Sequence, residues 1–97
     1  DAFVMDDVLL YGLIASSPLR GELQVTGRHL TVEPYAFMLP KDDLPLREVV
    51  DRTVLGLMHS GELAVLYRQW FDTAALRIPM SAHMRENIRY PNKYGIP

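Results

Sequence analysis

Between Tyr35 and Phe71 the chain carries two apolar stripes of helical period separated by one sharp break, and this pairing limits the folds open to it. Leu46, Val49, Val50, Thr53, Val54, Leu57 and Met58 recur at a 3.6-residue period. Leu63, Leu66, Tyr67, Trp70 and Phe71 repeat that period beyond Ser60-Gly61-Glu62. The first helix has strong start signals: Asp42 or Asp43 as N-cap, Pro45 in the first turn, and Glu48 near the positive end of the dipole. Ser60-Gly61 ends it. Ahead of it, Tyr35 to Leu39 is an apolar run of strand length stopped by Pro40, and Lys41-Asp42-Asp43 is best explained as a turn leading into an N-cap.

The first 28 residues predict strand, helix, strand. Ala2-Phe3-Val4-Met5 is too short for a helix and suits a buried parallel strand. Asp6 and Asp7 follow, and either can cap the next helix, whose dipole favours negative charge there. Leu9, Leu10, Leu13 and Ile14 give Val8 to Ala15 a helical spacing that Ser16-Ser17-Pro18 closes. Leu23 and Val25 alternate with polar residues in a second short strand that Gly27 terminates. Such a unit is a right-handed parallel crossover, so the expected class is α/β. Arg28 to Pro34 is polar and irregular, a linker, and a short helix is expected at about Ser81 to Ile88.

Composition sets the outer limits. Ninety-seven residues make at most one small domain, and 48% hydrophobic with 23% charged residues is ordinary for a globular fold. A net charge of -2 gives no electrostatic reason to expect nucleic acid or an anionic membrane as partner. No apolar run approaches the roughly 20 residues that span a bilayer. Without cysteine there are no disulfides, thiolate metal sites or cysteine nucleophiles. The chain opens on strand-like residues with no initiator Met, so removal of an upstream segment is expected.

Most of the remaining chemistry-bearing residues have structural explanations. His29, His59 and His83 are scattered without metal-ligand spacing, so no metal or cofactor is expected. His59 suits the negative end of its helix. Ser60-Gly61-Glu62 lacks the Gly-x-Ser-x-Gly pattern of a nucleophile turn, and Gly27, Gly56 and Gly61 do not make a phosphate loop. Trp70-Phe71 shares its register with Leu63, Leu66 and Tyr67, which favours core packing over ligand stacking. Tyr90 to Tyr94 is a surface strap.

Three blocks in order carry a family resemblance: DAFVMDDVLL, YAFMLPKDDLPL, and the run from Glu48 to Phe71 with its Ser-Gly-Glu break and Trp-Phe end. Together they resemble the C-terminal part of the polar-amino-acid substrate-binding proteins of ABC importers, closest to the glutamate/aspartate-type branch. Pro40, where that family usually has Arg, and Ala36-Phe37, where it usually has Gly, depart from the pattern.

The resemblance implies a fragment of a type II periplasmic-binding-protein fold, a two-lobed trap whose N-terminal portion is missing. Residues 1–28 would be the remainder of the second lobe, 29–34 the hinge, and 35–97 the return to the first lobe. It implies capture of an acidic amino acid in the periplasm, delivery to an ABC permease, and no enzymatic activity. At the position of Asp6 the family places the carboxylate that holds the ligand's α-ammonium; a helix-capping role is the competing explanation, and Asp7 can fill that role instead. A sensor module of a signalling receptor is the alternative within the same fold, and a few relatives of this fold are dehydratases. Separated from its opposing lobe, the chain is expected to bind no amino acid by itself and to form homo-oligomers.

Overall fold

The computed structural model describes residues 1–26 and 28–95. Four helices account for its regular structure: α1 (Asp7–Ser16), α2 (Leu44–Ser60), α3 (Glu62–Trp70) and α4 (Ala82–Arg89), with a 3-10 turn at Arg20–Glu22. α2 packs against α3 and α4, while α1 packs on the 3-10 turn that follows it.

Local chemistry sets the helix ends. Of the two candidate caps for α2, Asp43 takes the role: its Oδ1 accepts from Leu46 N at 3.0 Å, and Pro45 lies in the first turn. Asp43 N in turn donates to Pro40 O at 3.2 Å, closing the Lys41-Asp42 turn. Asp43→Ala should therefore destabilise α2 by ~1 kcal/mol, with Asp43→Asn nearly silent. Circular dichroism melts would check this, and a larger loss in Asp42→Ala would reverse the assignment. Gly61 joins α2 to α3 with φ 84°, a left-handed conformation that costs a side-chain-bearing residue strain. Ser81 caps α4 by accepting from Met84 N at 3.1 Å.

The core is small and lies where α3 meets the loop after it. Tyr67 and Ile78 are buried, at 7% and 2% exposure. The Tyr67 and Phe71 rings meet with centroids 5.0 Å apart, and the Tyr67 hydroxyl donates to Pro79 O at 3.3 Å. Burial, reinforced by the nearby charge of Asp7, raises the Tyr67 phenol above its ordinary pKa. Ile78 N donates to Phe71 O at 3.1 Å, which turns the chain back over α3. Arg77, the residue before, has φ 49°. Asn87 is also buried, and its Nδ2 has no hydrogen-bond partner among the described residues.

The expected strands and the core placement of Trp70 need correction. Ala2–Met5, Leu23–Val25 and Tyr35–Leu39 form no strand, and the described residues contain none, so this chain by itself is helical rather than α/β. Gly27, expected to end the second strand, lies outside the described residues. The physical reason is that a strand satisfies its N–H and C=O groups only on a neighbouring strand, and so few short segments cannot make a stable sheet alone. Trp70 is not core here: it is 65% exposed, on the outer side of α3. With Leu66 and Phe71 also exposed, the second stripe is only partly covered. α1 is apolar along most of its length yet buries no residue at all.

Candidate functional site

The start of α1 brings together residues distant in sequence. Asp6 occupies the N-cap position, where its carbonyl accepts from Leu10 N at 3.0 Å, but its side chain makes no capping bond. Asp7 Oδ1 accepts from Val8 N at 2.8 Å, so the helix end draws on Asp7 instead. The Asp6 carboxylate is thereby left uncommitted to the helix.

The segment between α1 and α2 comes back onto these two carboxylates. The Tyr35 hydroxyl donates to Asp6 Oδ2 at 3.0 Å, and His29 Nε2 lies 3.1 Å from Asp7 Oδ2. The Tyr35 phenol is raised above its ordinary pKa, first because its proton is held by Asp6, then by slight burial and by the negative charges of Asp6 and Asp7. Tyr35 opens the YAFMLPKDDLPL block without any mark of its pairing with Asp6, and His29 lies in no motif. Their partners lie 29 and 22 residues away, and only the folded chain makes the pairs.

Beside this cluster runs an open groove of about 670 Å³, with Asp7 and Tyr35 on one wall and Val54, Met58 and Met84 on the helical side. The tail, from Asn92 to Gly95, contributes to the groove's lining. Gly95, with φ 75°, lies so near Pro34 that an added Cβ would sit 2.7 Å from Pro34 Cβ. His59 falls in the last turn of α2, at the negative end of the helix dipole. His83 sits on α4, well separated in sequence from His29 and His59, and no group of three or more His, Asp or Glu among the described residues is arranged to hold a metal ion.

An exposed carboxylate at a helix N-terminus, flanked by a phenol and an imidazole, can pair with a cation that brings several N–H donors. The chain is similar to glutamate/aspartate-binding proteins. It is 33% identical to the L-glutamate/L-aspartate-binding protein of Pseudomonas aeruginosa over 96 residues, covering 93% of this chain and 32% of that protein. It is 29% identical over 97 residues to the glutamate/aspartate import solute-binding protein of Escherichia coli K12, and 28% identical to the protein of that name in Salmonella typhimurium. In both cases 94% of this chain is covered. The chain spans only 32% of the length of these relatives. No family model matches it. No solved structure matches it either.

Proposed function

We propose that the chain is the C-terminal part of a periplasmic solute-binding protein that captures glutamate or aspartate and delivers it to an ABC importer. The observation that carries this is the 33% identity to an L-glutamate/L-aspartate-binding protein, sustained over 93% of the chain. Binding, not catalysis, is the activity. The chain belongs to a type II periplasmic-binding fold in which residues 1–28 complete the second lobe, 29–34 form the hinge, and 35–97 return to the first. There Ala2–Met5 and Tyr35–Leu39 become strands, because the longer protein supplies the neighbours that this chain lacks.

Asp6 is the ligand-binding residue. It follows the proposed first strand, at the carboxyl end where open α/β sheets place their ligands, and its side chain is free of the helix cap. An amino acid's ammonium offers three donors to such a carboxylate, and lobe closure would remove the pair from water. Because the ligand contacts both lobes, it shifts the equilibrium toward the closed form, which the permease recognises.

Titration calorimetry of the longer protein with Glu, Asp, Gln, Arg and His provides the test. Glutamate and aspartate should bind at least tenfold more tightly than the other three. Preference for Arg or His would overturn the assignment of an acidic ligand, and heat from none of them would overturn the proposal as a whole.

A further inference from the structure

We propose that Tyr35 is a positioning residue for the Asp6 carboxylate, holding it by the 3.0 Å hydrogen bond to Oδ2 so that Oδ1 stays available to a ligand ammonium. The inference rests on the role proposed for Asp6 above. A carboxylate has two oxygens and about four acceptor positions, so one phenol donor leaves room for an ammonium. What the phenol removes is rotational freedom. An aspartate carboxylate turns easily about its last torsion, and fixing it before the ligand arrives lowers the cost of binding.

The location of the bond adds a second consequence. His29 opens residues 29–34 and Tyr35 directly follows them, midway along the segment from α1 to α2, and they rest on adjacent carboxylates, Asp7 and Asp6. Residues 29–34 are thus pinned at both ends to the start of α1. If they are the hinge, Tyr35 transmits hinge position to the orientation of Asp6.

Two measurements test this. In the present chain, ultraviolet difference titration against Tyr35→Phe isolates the Tyr35 phenol, which should ionise above the ordinary value of 10.0 and move back toward it in Asp6→Asn. A Tyr35 titration indifferent to Asp6→Asn would overturn the pairing, and this arm needs no variant-dependent binding. In the longer protein, Tyr35→Phe should weaken L-glutamate about tenfold, the scale of one hydrogen bond. It should leave glutarate, which has both carboxylates but no ammonium, unchanged. Equal losses for glutamate and glutarate would indicate a merely structural role and overturn the inference, as would no loss for either. Asp6→Asn separates the two levels. If it retains full glutamate affinity, the role of Asp6 itself fails; if it loses affinity while Tyr35→Phe does not, only the role of Tyr35 fails.

Discussion

Asp6→Ala in the longer protein is expected to weaken glutamate binding by two orders of magnitude or more while leaving the melt of the ligand-free protein nearly unchanged. Removing one member of a desolvated ion pair costs ~3–5 kcal/mol, chiefly because the other charge stays buried without a partner. At about 1.4 kcal/mol per tenfold, that is more than a hundredfold in affinity. The ligand-free protein should not notice, since the Asp6 side chain makes no capping bond and the residue is exposed. Among the described residues the side-chain partner it would lose is Tyr35, itself 71% exposed, and a bond in that much water contributes little to folding. Calorimetric titration paired with differential scanning calorimetry separates the two effects. Near-normal affinity would remove the assigned role, and a large fall in melting temperature would show Asp6 to be structural instead. Asp7→Ala is the contrast, because Asp7 accepts from Val8 N and should affect stability more than binding.

What the sequence made legible was local. The apolar period and the capping residues predict a helix at Val8 to Ala15 and another at about Ser81 to Ile88; α1 runs Asp7–Ser16 and α4 runs Ala82–Arg89. The break between α2 and α3 falls at Gly61 because a left-handed residue there is cheap only for glycine, a property visible in one letter. Strands were not legible in the same way. Ala2–Met5 has strand composition, but a strand forms only against a neighbour, and composition does not name that neighbour. Trp70 shows the same limit: its register announces an apolar face, not what covers it. The Asp6–Tyr35 and Asp7–His29 pairs were illegible for a different reason. They join residues far apart in sequence through the path of a loop, and no periodicity encodes that path.

The chain by itself is expected to self-associate and to bind no amino acid measurably. Its accessible surface is 8153 Å², against about 5,700 Å² for a compact monomer of this size. Its radius of gyration is 15.8 Å where a compact domain of this length has about 12.5 Å. The excess of about 2,500 Å² is roughly three times the ~800 Å² that each partner buries in a standard stable complex. Much of the exposed surface is apolar: Phe3 and Val4 ahead of α1, Leu9 and Leu13 on it, and Val65 and Trp70 on α3. Apolar surface of this extent seeks cover, and a second copy is the partner always present in a pure solution. Backbone groups of the strand-like segments give a second route, since unpaired edges template pairing. Light scattering should therefore give at least twice the monomer mass, falling on dilution. Charges introduced at Leu13 and Trp70, which are 54% and 65% exposed, should shift the assembly back toward monomer without unfolding α1 or α3. Titration with glutamate should give no heat, because Asp6 alone offers one contact where capture needs two opposing lobes. A strictly monomeric chain that bound glutamate at micromolar concentrations would show that the site is complete within these 97 residues, and the two-lobed reading would fall with it.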